Sequence, residues 1–350
     1  MHGAYSMHSL RAFCIALLVG GNIIAFLALL VVGSVKVPLG DILTALVGGE
    51  PSRPVFIKIL FDARLPKALT CILVGSGFAI CGAQMQTLFR NPLADPYVLG
   101  VSSGAALGAA LLILGAGGLS VVNSVPVLRQ FGITGASIAG ALGVLSIVMY
   151  LARRVSSPAT ILVAGVMFGF LTGAVVDVLV YYSRPEELAL FTGFVRGTVR
   201  TTGWSDMPML TLLWASTIVV GFSIAKPLNI LLLGDRYAET MGIPVRIVQF
   251  VSLGSVGIMA GVTTAYCGVI GFIGLAAPHL VRGLFQTNDH RLVLPGSAAM
   301  GSILVMVSEL AAQGPGGATM SLPINSVTAL IGVPVVLWVL IGRRRSIGMS

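Results

Sequence analysis

Five stretches of this chain carry no Asp, Glu, Lys or Arg: residues 12–35, 68–89, 130–152, 155–176 and 207–225. A helix needs roughly 20 apolar residues to cross a hydrocarbon core of about 30 Å, so each stretch suffices for one crossing. Runs 96–128, 247–281 and 310–342 are longer still, and Gly, Pro or polar clusters divide them. Backbone amides in lipid must bond within the protein, which leaves helices or closed barrels. The runs lack the period-2 alternation of barrel strands and are too long for them. Only 9% of all residues are charged, against about 25% in a soluble domain. The fold class predicted is an all-α polytopic membrane protein forming one transmembrane domain over 1–350.

Ten spans are predicted: about 12–33, 66–88, 97–115, 132–152, 158–181, 207–225, 247–267, 269–284, 292–312 and 323–342. The boundary between the seventh and eighth is the least defined. The first run exceeds the roughly 7–15 residues of a secretory signal core, so it is read as an uncleaved span. An even number of spans puts both termini on one side. Arg343, Arg344 and Arg345 directly follow the last span and mark that side as cytoplasmic. Arg11, Arg90, Arg153, Arg154, Lys226, Arg236, Arg246, Arg282 and Arg291 then fall on the same side. The net charge of +9 therefore reflects membrane topology and anionic headgroups; no basic, aromatic-rich stretch suggests nucleic acid. Two polar connectors stand out: an outer one over 183–205, enough for a short surface helix at about 185–200, and an inner one over 226–246.

The residues also exclude chemistries. There is no P-loop and no Gly-Lys pair anywhere, so any ATP must be hydrolysed on a partner. Ion coupling would call for intramembrane acids. Only Asp177 and Glu309 qualify, and both sit near the outer ends of their spans, where interfacial or packing roles are favoured. His2, His8, His279 and His290 form no HExxH pair, and Cys14, Cys71, Cys81 and Cys267 no CxxC. No catalytic or metal site is therefore expected. The stripes Gly100/Gly104/Gly108 and Gly165/Gly169/Gly173 suit close helix packing. A weak internal echo sets Cys81-Gly82 before Pro92 at the interval that separates Cys267-Gly268 from Pro278.

The polar breaks are the most specific signal. "RLPKALTCILVGSGFAICGAQMQTLFRNPLADPYVLGVSSGAALG" (64–108), "GVIGFIGLAAPHLVR" (268–282), "DHRLVLPGSAAMG" (289–301) and "LPINSVTALIGVPVVLW" (322–338) resemble, in order and spacing, the FecCD-type permeases of ABC importers. The resemblance runs from about residue 40 to the C-terminus. It implies a type II importer permease of ten spans, moving a ferric siderophore, heme or cobalamin into the cytoplasm across the bacterial inner membrane. Implied partners are a second permease subunit, two ATPase subunits that bind ATP with Mg, and a periplasmic or lipoprotein substrate-binding protein. No cofactor is expected on this chain. The alternatives are an ion-coupled secondary transporter and a membrane-embedded enzyme.

Residue by residue, the resemblance assigns Asn91 and Leu93 to one part of a cytoplasmic gate and Ser156 or Ser157 to the other. It makes 233–245 the segment that rests on the ATPase. Ala238 and Gly242 there would permit close approach, while Asp235, Arg236 and Glu239 offer polar contacts and Leu233, Tyr237 and Met241 an apolar edge. Arg64 and Lys67 would meet carboxylates of the binding protein. Two departures touch the outer side: "FTGFVRGTVRTTGW" (191–204) brings Arg196 and Arg200 near the mouth, to face an anionic cargo or the binding protein or simply to be solvated at the surface, and Ser321 stands where the family often has Glu.

Overall fold

The computed structural model describes residues 2–33, 35–115, 126–154, 158–197, 199, 202–314 and 322–347. Among them every regular element is a helix. In chain order these are α1 (His2–Val31), α2 (Leu39–Leu46) and α3 (Val55–Lys58), then a π-turn (Ile59–Arg64) leading into α4 (Leu65–Leu88). There follow α5 (Val101–Ile113), α6 (Pro126–Arg154), α7 (Pro158–Tyr182), α8 (Pro185–Arg196), α9 (Met207–Ser223), α10 (Ala225–Leu231) and α11 (Asp235–Thr240). The chain closes with α12 (Val245–Cys267), α13 (Ile273–Phe285), α14 (His290–Ala312) and α15 (Ile324–Ile347).

Each of the ten predicted spans meets a helix, with corrections in length. Among the described residues six helices are long and apolar enough to cross a bilayer, and α9 with α10 makes a seventh if that pair, bent by 54°, counts as one. The apolar helices Val101–Ile113, Ile273–Phe285 and Ile324–Leu337 are shorter. Hydropathy overestimated the first two because polar and glycine-bearing turns, not helix, occupy their starts. The third predicted span begins in a turn that ends at Gly100, with φ +74°. The eighth begins only after Gly268 (φ +70°) and Phe272 (φ +68°) have broken the chain. The second span instead extends back to Val55 as one 34-residue helical stretch. Its π-turn has a local cause: Pro66 has no N–H for the carbonyl of Asp62, and widening the turn relieves the clash.

Helix starts follow the prolines. α6, α7 and α8 open on Pro126, Pro158 and Pro185, where the missing N–H costs nothing and φ is already helical. Glu186 and Glu187 occupy the first turn of α8, and the Glu187 carboxylate accepts the Arg184 N–H at 3.1 Å, which also complements the helix dipole.

α4 is the hub, with α14, α13, α9 and α12 packed around it and 89% of its best apolar window buried. Helices in lipid gain no hydrophobic drive from one another, so close backbone approach must hold them. Gly75 of α4 and Gly301 of α14 lie backbone to backbone, and Gly82 of α4 lies on Gly274 of α13. The stripe Gly100/Gly104/Gly108 is used for packing: Gly104 and Gly108 meet Gly140 and Ala136 of α6, and Gly100 meets Gly165 of α7. The second stripe divides, since nothing lies within 4 Å of where a Gly173 Cβ would be. The internal echo has no counterpart in local structure. Gly82 sits inside a helix whereas Gly268 ends one, and Pro92 lies in a turn whereas Pro278 is inside α13.

Candidate functional site

The C-terminal end of α4 carries a tight turn over 89–100. Arg90 takes a left-handed φ of +46°, and the Asn91 side chain accepts the Leu93 N–H at 2.9 Å. Prolines at 92 and 96 stop either neighbour from continuing through it. Asn91 and Leu93 are half-buried and Pro92 exposed. A ring nitrogen of His279 in α13 donates to the Pro92 carbonyl at 2.7 Å. Pro278 contributes differently: it cannot donate to the Gly274 carbonyl one turn back. That oxygen accepts Gln86 Nε2 of α4 at 3.3 Å instead, while Arg282 donates to Gln86 Oε1.

Asp95 fixes the far half of the turn. It is fully buried, accepts the Tyr97 N–H at 2.8 Å, and faces the backbone N–H groups of Val98 and Leu275. Burial outweighs these donors and pushes its carboxyl up to about 6. Its folded pKa thus lies above the unfolded one. The ionised carboxylate opposes folding above about pH 6, and that opposition fades as the pH falls toward 4. Asp95→Asn removes the charge and keeps an acceptor for Tyr97. The melting temperature of the variant relative to wild type should therefore be more favourable at pH 7.5 than at pH 5, measured in detergent at both. A difference independent of pH would show that Asp95 does not titrate there.

The inner connector folds beside this turn. α10 and α11 pack on the start of α12 through Leu228, Leu231, Ala238, Val245 and Val248. Gly234 (φ +118°) and Gly242 (φ +78°) bracket α11 in conformations that side chains resist. Arg236, Glu239 and Gly242 are exposed, as are the apolar side chains of Leu233, Tyr237 and Met241. The expectation for Ala238 needs correcting. It is fully buried, so its small size serves packing inside this chain rather than approach to a partner. Asp235 pairs with Arg90 of the turn. Arg90, Leu233, Gly234, Asp235, Arg236, Tyr237 and Thr240 line a depression of about 710 Å³. Turn and connector therefore present one continuous surface.

A buried polar chain, unnoticed in the sequence, also joins them. Asn229 of α10 donates to Asp289 Oδ1 at 2.6 Å and accepts from the His290 N–H at 2.8 Å and from its ring Nδ1 at 2.7 Å. The other ring nitrogen meets Thr87 Oγ1 at 2.7 Å, three residues before Arg90. Asp289 caps α14 through the Arg291 N–H at 3.0 Å. That bond, with the one from Asn229, holds its carboxyl below the usual range. The available signal was a run of polar residues, Gln84, Gln86 and Thr87, at the end of an otherwise apolar span.

At the opposite end the structure turns two expected contact residues inward. Arg64 is 7% exposed and donates to the carbonyls of Leu30, Val31 and Val35. Lys67 pairs with Glu309 at 2.7 Å, the side chains 12% and 3% exposed. Their charges close α1 and α14 onto α4 rather than face a docking partner, and Glu309 takes a packing role. Asp177 stays exposed. Arg196 ends α8, whereas Arg200, Ser156, Ser157 and Ser321 lie outside the described residues. After α8 the chain returns to the bundle: Thr70 donates to Thr202 at 2.9 Å, and Trp204 donates to the Phe61 carbonyl at 2.8 Å.

Among the six candidate spans of the described residues, α7 has the least cover. In α7 only 11% of the apolar window is buried, and Val163, Met167, Phe170, Leu171 and Val178 are exposed. Among the described residues no three His, Cys, Asp or Glu side chains are grouped to hold a metal ion.

The chain is 34% identical over 325 residues to the hemin transport system permease protein HmuU of Yersinia pestis, covering 93% of this chain and 95% of that protein. It is 35% identical over 324 residues to the vitamin B12 import system permease protein BtuC of Shigella boydii, covering 92% and 93%. Its fold is that of a solved ABC transporter described as of the metal-chelate type, in an inward-facing conformation. There the TM-score is 0.77 at 24% identity over 95% of this chain and 99% of the other. The profile of the FecCD transport family matches residues 21–342, reaching further toward the N-terminus than the quoted motifs. An all-helical membrane bundle matched over nearly its whole length, with the expected motifs at its polar turns, belongs to the FecCD transport family.

Proposed function

We propose that this chain is the membrane-spanning subunit of a bacterial ABC importer, residing in the cytoplasmic membrane with both termini inside, and that it passes a metal chelate inward unchanged. The chelate class is ferric siderophore, heme or cobalamin, in keeping with the hemin and B12 permeases it resembles. Two such chains pair, the bare face of α7 being available for the second. Two ATPases bind below with ATP and Mg, and a substrate-binding protein docks above. This chain needs no cofactor and hydrolyses no ATP.

The observation that carries the reading is the contact between the 89–100 turn and the 226–246 connector. An exposed apolar edge beside a tight turn suits a groove on a partner, and movement of that edge would move the turn. Asn91 and Leu93 act as gate residues. Asp235, Arg236, Glu239 and Gly242 contact the ATPase, and Arg196 and Arg200 are left as the outer docking residues.

The test is reconstitution in proteoliposomes with an importer ATPase and a substrate-binding protein from the same organism. ATP-dependent uptake of hemin, cyanocobalamin or ferrichrome is expected. Uptake driven by a proton gradient alone, without the ATPase, would replace this reading with ion-coupled transport. Within the complex, Tyr237→Asp should weaken ATPase binding by about 2 kcal/mol, roughly thirtyfold in Kd, as for an aromatic anchor. Binding by titration checks this, with an unchanged melting temperature as control. It is a cleaner probe than Gly242→Trp, because any side chain at φ +78° adds backbone strain of its own.

A further inference from the structure

We infer that the buried chain Asn229–His290–Thr87 is the link through which movement of the connector reaches the 89–100 turn, with His290 as its positioning residue. The inference rests on the importer reading above and names the residues that carry its coupling.

The hydrogen bonds have a defined direction. Asp289 caps the α14 N-terminus as an acceptor, so the Asn229 group facing it at 2.6 Å is its amide N–H. Asn229 therefore turns its carbonyl oxygen to His290, which must donate from Nδ1 across 2.7 Å. A neutral imidazole then offers a bare Nε2, and the Thr87 hydroxyl donates to it across 2.7 Å. That hydroxyl also lies 3.0 Å from the Ala83 carbonyl, its alternative acceptor. His290 and Thr87 are 0% and 2% exposed, so water cannot replace the bond between them.

A second polar link between the two parts, the Arg90–Asp235 pair, has side chains 46% and 48% exposed. An exposed pair of this kind constrains little. A hydrogen-bonded chain whose central imidazole is buried holds its members in one arrangement. α10 therefore cannot shift without dragging the α14 N-terminus and, through the imidazole, the last turn of α4. Thr87 stands three residues before Arg90 and four before Asn91, so a change in its position changes where the turn begins.

The test uses the full complex in nanodiscs, with a nitroxide on Pro92→Cys in each permease subunit and no cargo required. Distance distributions are recorded with and without ATP plus vanadate, beside the ATP hydrolysis rate. Thr87→Val keeps shape and loses the hydroxyl, whereas Thr87→Ser keeps it. Thr87→Val should reduce the ATP-driven population shift about fivefold, the factor expected of one buried hydrogen bond, with hydrolysis held within about twofold. Thr87→Ser should restore it. Asn229→Ala, at a half-buried position, gives the same result by breaking the other end, and it stands in if Thr87→Val fails to fold. A full shift in both Thr87→Val and Asn229→Ala overturns the inference. Absence of any shift in the wild-type complex overturns the importer reading itself, and this inference with it.

Discussion

Gly82→Leu is expected to yield no folded protein, while Gly20→Leu on α1 is expected to express and melt like wild type. A Cβ at position 82 would run into the backbone carbonyl and Cα of Gly274, atoms that no rotamer change can move aside. α4 and α13 would have to separate, and α4 is the helix on which α14, α9 and α12 also pack. Overpacking typically costs about 1–3 kcal/mol where neighbours can yield; here only backbone is available to yield, so the loss should exceed that range. Gly75→Leu, against Gly301, should behave the same way. At Gly20 nothing lies within 4 Å, so the chemically identical change meets open space. Detergent-solubilised yield and thermal unfolding distinguish the sites. A well-folded Gly82→Leu protein would mean that α4 and α13 do not approach as described.

The second large effect concerns the Lys67–Glu309 pair. Glu309→Leu alone strands an ammonium that is 12% exposed, and losing one partner of a buried pair typically costs about 3–5 kcal/mol. Lys67→Met with Glu309→Leu removes both charges, and such replacements are often neutral or stabilising. The double variant should therefore melt higher than either single one, a non-additivity that a double-mutant cycle reads directly. Additive losses would show that the two side chains do not depend on each other. The same cycle bears on docking. If Lys67 is held by Glu309, binding-protein affinity should be insensitive to the double change, and Arg196 or Arg200 should carry any electrostatic contact.

Long apolar runs with few charges were enough to place ten helices, because lipid permits little else. The ends of those helices were less legible. At 269–272 and 97–100 the sequence is as apolar as a span, and only the backbone angles of Gly100, Gly268 and Phe272 reveal that the chain turns. Motif resemblance located the turn at 91–95 and the connector at 233–245, both of which the fold brings side by side. It did not reveal the direction in which side chains point. Ala238, Arg64 and Lys67 each face inward for reasons that lie in distant segments: α10 and α12 for the first, α1 and α14 for the other two. The Thr87–His290 contact joins residues 203 apart in sequence, and no local pattern announces it. His290 at the start of an apolar run looks like a boundary residue until Asn229 and Thr87 are seen on either side of its ring.

The four thiols of this chain, at Cys14, Cys71, Cys81 and Cys267, are all free and buried. Alkylating reagents and oxidants dissolved in the surrounding medium therefore reach none of them while the bundle stays closed. The native protein is in effect a thiol-silent background. A maleimide that nonetheless modifies it, with no introduced cysteine present, would report the bundle coming apart, and the rate of that modification would measure how often it does so.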